Sequence, residues 1–151
     1  MTIAVELETT IARQPAYVFA ALTAVERFPE WLVASGITVV ERLDDGPLAV
    51  GSRVRISQHV AGRSTVLDGS ITALEPDRVF GLRGRDPDGV TIEIGATIAP
   101  ASEATRLRWS LKLGLPLRFR MFESMVSPQV RRAVTLDVEA FRRRLEANSP
   151  V

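Results

Sequence analysis

Residues 115–145 read LPLRFRMFESMVSPQVRRAVTLDVEAFRRRL, and their spacing decides the fold. Phe119, Phe122, Val126, Val130, Val134, Val138, Phe141 and Leu145 recur at steps of three and four, which is one face of an α-helix. Between them Arg118, Arg120, Glu123, Arg131, Arg132, Asp137, Glu139, Arg142, Arg143 and Arg144 read as the wet side. A helix over the whole stretch would run roughly 45 Å and needs a wide apolar partner. Pro128 has no amide proton and clashes with the preceding turn. Ser127 is a good N-cap, and proline suits the first helical position. The pattern therefore predicts a short helix near Leu117–Val126, a bend, and a main helix near Pro128–Leu145. The bend is a natural place for an entrance to the interior.

Upstream, the text is written in strands. Thr2–Thr10 alternates Ile3, Val5 and Leu7 against Glu6 and Glu8, as a half-buried strand does. Pro15 opens a short helix with Val18, Phe19 and Leu22 on one side. Glu26–Leu32 predicts a turn or two of helix with Phe28 and Trp31 tucked inward. From Gly36 onward, strands alternate with turn signals. Ile37–Leu43 ends at Asp44-Asp45-Gly46-Pro47, Arg53–Val60 at Ala61-Gly62-Arg63, and Thr65–Leu74 at Glu75-Pro76-Asp77. Val79–Arg83 ends at Asp86-Pro87-Asp88-Gly89, Val90–Ile98 at Pro100-Ala101-Ser102, and Arg106–Leu113 at Gly114 and Pro116. Short loops between consecutive strands require antiparallel hairpins. The expected architecture is α+β: a curled seven-stranded antiparallel sheet around the long C-terminal helix, with two short helices after the first strand. A sheet curled around one helix need not be filled, so a cavity can remain between them.

No repeat, linker or low-complexity run divides the chain, and residues 1–151 read as a single domain. An apolar content of 46% and a charged content of 25% are ordinary for a globular protein. There are no cysteines, so disulfides, thiolate metal sites and a cysteine nucleophile are excluded. A formal charge of +1 gives no general drive towards nucleic acid or anionic membranes. The first ten residues carry acids and no apolar core, unlike a signal peptide. No apolar run approaches the roughly 18 residues of a membrane span. A cytoplasmic protein, monomeric or homodimeric, without a nucleic-acid partner is the expectation.

The order and wording resemble a known superfamily. Thr10-Ile11-Ala12-Arg13-Gln14-Pro15-Ala16-Tyr17-Val18-Phe19, then Glu26-Arg27-Phe28-Pro29-Glu30-Trp31, resembles the opening of START-like (SRPBCC, Bet v 1-like) proteins. Gly51-Ser52-Arg53-Val54-Arg55 resembles their third strand. Ile71-Thr72-Ala73-Leu74-Glu75-Pro76-Asp77-Arg78-Val79-Phe80 resembles their fourth-to-fifth strand turn. The nearest branch looks like the polyketide cyclase/dehydrase and lipid-transport group, and the resemblance covers essentially the whole chain. It implies a helix-grip fold with a deep pocket for a hydrophobic or aromatic small molecule. The scaffold serves cyclases, lipid carriers, hormone receptors and co-chaperone domains alike, so it leaves the function open. Many members carry a tryptophan where this chain has Gly69, which would either widen the pocket or mark a bulge.

Candidate lining residues follow from the apolar faces. They are Phe28, Trp31, Val54, Ile56, Ile71, Ile94 and Trp109, with Gln58 on the Val54–Val60 face and Met121 and Met125 near the proline break. Gln58 either orients a ligand's carbonyl or hydroxyl, or reaches solvent or a backbone group. His59, the lone histidine, falls on the charged face with Arg53, Arg55 and Ser57. Asp68 and Glu93 alternate against apolar neighbours and face water, which argues against a carboxylate pair. Arg118 and Arg120 either attract an acidic ligand near the mouth or form a solvated face. No metal or other cofactor is expected, and elemental analysis of the purified protein should find no stoichiometric zinc or iron. Three functions remain open: a carrier or binding protein for a hydrophobic small molecule, an aromatase/cyclase-type enzyme, and a co-chaperone-like interaction module. The first leads, because the inward faces are apolar and no acid–base pair emerges.

Overall fold

The alternation of apolar and polar side chains is realised strand by strand in the computed structural model, which describes residues 2–60 and 62–147. Met1, Ala61 and residues 148–151 lie outside the described residues. The strands are β1 (Thr2–Ile11), β2 (Ile37–Arg42), β3 (Arg53–Val60), β4 (Arg63–Glu75), β5 (Val79–Arg85), β6 (Thr91–Ala101) and β7 (Ala104–Gly114). Helix α1 (Pro15–Thr23) and a 3-10 segment (Val25–Glu30) connect β1 to β2. A second 3-10 segment (Leu117–Phe122) leads into α2 (Glu123–Ala147).

All neighbours pair antiparallel, in the order β1-β7-β6-β5-β4-β3-β2, so the chain's first two strands form the two edges. The long pairings β1·β7 and β6·β7 fix the register, with Leu7 opposite Trp109 and Ile94 opposite Leu111. A one-residue slip would turn every apolar side chain outward, so the pattern itself protects this register. The inward faces and α2 enclose one core, in which Val134, Val138, Phe141 and Leu145 of α2 are buried. The curled seven-stranded sheet around a long C-terminal helix is the architecture expected from the sequence.

Three details depart from expectation. The break before the main helix lies at Phe122/Glu123, so Pro128 sits inside α2 rather than opening it. The missing amide would have bonded the Ser124 carbonyl, and Ser124 is exposed in the first turn, where water can serve instead. Phe122, expected on the buried face, is 48% exposed. Asp137, assigned to the wet side, is 2% exposed.

Gly69 leaves no widened space. A Cβ there would meet the Arg83 carbonyl at 2.9 Å and Val54 Cγ2 at 3.1 Å. The neighbouring strand has closed over the gap. The irregularity in β4 falls instead between Ile71 and Ala73.

Candidate functional site

The space between sheet and helix is organised by the short loop after Trp31. Its backbone is held from two sides. Asp137 of α2 accepts the Ala34 amide at 2.9 Å and the Ser35 amide at 3.0 Å, one on each carboxylate oxygen. From β3, Gln58 Nε2 donates to the Ser35 carbonyl at 2.9 Å, and the His59 amide donates to the Gly36 carbonyl at 2.8 Å. Gly36 has φ +78, and a Cβ there would lie 2.2 Å from the His59 carbonyl oxygen. Only glycine fits.

This loop sets the position of Trp31. Its ring meets Phe28 at 5.6 Å, Trp109 at 5.4 Å and Phe141 at 4.4 Å between centroids, mostly edge to face. Phe28 extends the cluster to Phe80 at 6.1 Å. The middle of the sheet–helix space is thus occupied by aromatic rings. Burial pushes the Asp137 carboxyl above its ordinary value of 3.8, and the Ser35 and Ala34 donors pull it down without cancelling that effect.

The end nearer the start of α2 is closed differently. Arg63 pairs with Asp86 at 2.7 Å and also with Asp88, while Arg118 of the second 3-10 segment bonds the Asp88 carbonyl at 2.5 Å. Both guanidinium groups lie over the Phe119 ring, at 6.0 and 5.0 Å. The 3-10 segment is therefore latched onto the β5–β6 turn. Asp86 is buried, which raises its carboxyl. Hydrogen bonds from Arg63, the Val90 amide and Thr65, with the charge of Arg63, outweigh that and leave it below 3.8. From this latch α2 crosses to the far end of β1, where Glu146 accepts the Ala12 amide at 2.9 Å.

At the Gly114 end of the sheet the inward strand residues are Ile3 and Val5 of β1, Leu111 and Leu113 of β7, and Ile92 and Ile94 of β6. Leu111, Leu113 and Val130 of α2 are only partly buried, whereas Leu107 and Phe141 are sealed.

The ten candidate lining residues divide accordingly. Phe28, Trp31 and Trp109 are brought into ring contact, and Val54, Ile56, Ile71 and Ile94 are buried on the sheet's inner face. Gln58 is half-buried and engaged by the Ser35 carbonyl, one of the two readings left open. Val60, expected inward, is exposed at the end of β3. Met121 and Met125 are corrected outright. They are 78% and 67% exposed, Met121 in the second 3-10 segment and Met125 in the first turn of α2. His59 is exposed and bonded to Ser64 Oγ at 2.7 Å. Asp68 and Glu93 are exposed as expected. Arg118 belongs to the latch, and Arg120 is exposed.

Asp137 and the Arg63, Asp86 and Asp88 side chains of the latch are not among the candidates that sequence reasoning singles out, whereas Arg118 is. The first carries a legible signal, because Asp137 lies three residues after Val134 and four before Phe141, on the apolar stripe. Two hollows mark the outside. One of about 320 Å³ lies on the sheet's outer face over Gly81, Gly95 and Ser110, and one of about 290 Å³ lies between Thr23–Arg27, Arg42 and Leu48. Among the described residues no group of three or more acidic or histidine side chains is placed to hold a metal ion. No helix of the described residues is long and apolar enough to cross a membrane.

The family model for polyketide cyclase / dehydrase and lipid transport matches residues 2–146. The chain belongs to this family. Its START-like character, expected from the opening and third-strand motifs, is thereby met. No curated protein matches the chain. Among solved structures it is similar to the Zhui aromatase/cyclase from Streptomyces sp. R1128, with 20% identity and a TM-score of 0.76 over 97% of this chain and 94% of that one. A START superfamily protein from Mycobacterium smegmatis shares 16% identity with a TM-score of 0.74, covering 95% and 97%. The protein TTHA0849 from Thermus thermophilus shares 16% with a TM-score of 0.75, covering 95% and 97%. Family and fold together point to hydrophobic-ligand binding or polyketide cyclase-type roles.

Proposed function

We propose that this family member binds a hydrophobic small molecule between the sheet and α2, without transforming it, at the end beneath the latch rather than among the aromatic rings. The observation that carries this is the partial burial of Leu111, Leu113 and Val130 on faces that are otherwise sealed. Apolar side chains that face inward yet stay partly open favour an apolar guest, since covering them contributes about 25 cal/mol per Å². A binding role is favoured over a cyclase-type one by the state of the polar groups. Gln58 and Asp137 are engaged by the Ala34–Ser35 backbone, and His59 points out, so none is free to move a proton.

Titration with a hydrophobic fluorophore tests the reading. Saturable binding is expected, and Leu111→Trp, which fills the space, weakens it by about tenfold, or 1.4 kcal/mol. Binding indifferent to Leu111→Trp, or absent altogether, refutes the site. Gln58→Leu is expected to lower stability by about 0.5–1.5 kcal/mol through the lost Ser35 bond, leaving fluorophore affinity unchanged. Denaturing extraction of the purified protein, followed by mass spectrometry, would name any retained cargo.

A further inference from the structure

The segment from Leu117 to Arg132 carries more apolar surface than the fold uses. Its inward positions are filled by Phe119, Val126 and Val130, all half-buried. On the other side Leu117, Met121, Phe122 and Met125 are 78%, 78%, 48% and 67% exposed. Met121 and Phe122 end the 3-10 segment and Met125 lies in the first turn of α2, so the exposed side chains follow one another along a short stretch of surface. Four large apolar side chains together on a surface mark a contact rather than chance exposure.

The charges beside them say what kind of contact. Arg120, Arg131 and Arg132 are exposed, and among the described residues no carboxylate pairs with any of them. At the far end of the same helix the arginines are neutralised. Arg142 and Arg143 pair with Glu139, Arg142 also with Glu146, and Arg144 with Glu30. Three cations without a carboxylate partner thus lie on the same stretch as the exposed apolar side chains. A second copy of the chain fits poorly, because a two-fold contact through this face would set like charges against each other.

We propose that this face docks on an anionic lipid bilayer. Leu117, Met121, Phe122 and Met125 enter the boundary between headgroups and acyl chains, and Arg120, Arg131 and Arg132 lie among the lipid phosphates. Flexible methionine side chains suit a fluid partner of no fixed shape. The contact is peripheral and reversible, and it does not depend on whether the interior holds a guest.

Co-sedimentation of the full chain with vesicles tests this. Binding is expected to mixed phosphatidylcholine–phosphatidylglycerol vesicles, not to phosphatidylcholine alone, and to weaken with added salt. Met121→Gln/Met125→Gln and Arg131→Gln/Arg132→Gln should each weaken it by about tenfold or more with unchanged thermal melts, since all four positions are exposed. Arg106→Gln/Arg108→Gln, on the outer face of the sheet, should leave it unchanged. No binding to the mixed vesicles, equal binding to both kinds, or indifference to either pair of substitutions overturns the proposal. A dimer in sedimentation velocity that Met121→Gln/Met125→Gln dissociates, without vesicle binding, overturns it in favour of a second copy.

Discussion

Trp31→Ala is expected to lower the unfolding free energy by about 3–5 kcal/mol, the range for deleting a packed aromatic side chain from a core. Trp31 is 4% exposed and meets three other rings, with Phe141 closest at 4.4 Å. Its removal leaves a void whose walls belong to α2, the 3-10 segment and β7 at once, so no single element can collapse to fill it. Each lost edge-to-face contact adds about 0.5–1.5 kcal/mol beyond area alone. Against a total stability of about 5–15 kcal/mol the change is large, and urea denaturation would read it directly. Trp31→Phe should cost much less. A loss below about 1 kcal/mol for Trp31→Ala would mean that the ring borders open space, and the binding site would then have to be moved towards it.

Asp137→Ala is expected to cost about 1–3 kcal/mol, because the Ala34 and Ser35 amides lose their acceptor and the loop that seats Trp31 loses its tie to α2. The pH dependence separates the carboxylate's two effects. Its folded value is raised above 3.8, so the folded protein holds a proton that the unfolded chain has already released. The stability linked to that proton is fully present below 3.8 and is lost as the pH rises through the folded value. Asp137→Asn does not titrate. The advantage of wild type over Asp137→Asn should therefore be greatest in acid and narrow towards neutrality. An advantage that widens towards neutrality would show that the two amide donors outweigh burial. Asp86 runs the opposite way, contributing stability above 3.8 that is lost as the pH falls through its depressed folded value.

Much of the fold is legible because single rules govern it. Strict alternation bounded by turn residues leaves Arg53–Val60 few choices other than a strand, and its bounds agree to the residue. Phe28 and Trp31 read inward from a segment too short and proline-broken for a long helix, and a short 3-10 helix forms there. The departures arise where two rules compete. Pro128 satisfies the rule for a helix start, yet a proline in the second turn costs only one hydrogen bond, at an exposed carbonyl. Packing of Val126 and Val130 carries the helix through it. Met121, in the 3-10 segment, and Met125, in the first turn of α2, both end on the outside rather than on the expected inner face. Asp137 is misplaced when it is judged by its chemical type rather than by its position on the stripe. The donors that justify its burial lie about a hundred residues away, where helical spacing gives no hint of them. Gln58 falls on the expected strand, but its partner, the Ser35 carbonyl, becomes visible only once the loop is in place.

Pro128 also divides α2 in time. Without its amide, the five residues from Glu123 to Ser127 are joined to the rest of the helix by one fewer rung, and none of them is fully buried. Beyond the proline, Val134, Val138, Phe141 and Leu145 hold the helix to the core. The two stretches should therefore open as separate cooperative units. In amide hydrogen exchange, protection should rise in a step after residue 128 rather than grade along the helix. The stretch that opens first adjoins the latch, the end at which the guest is proposed to bind, so a guest entering there need not wait for the whole protein to unfold.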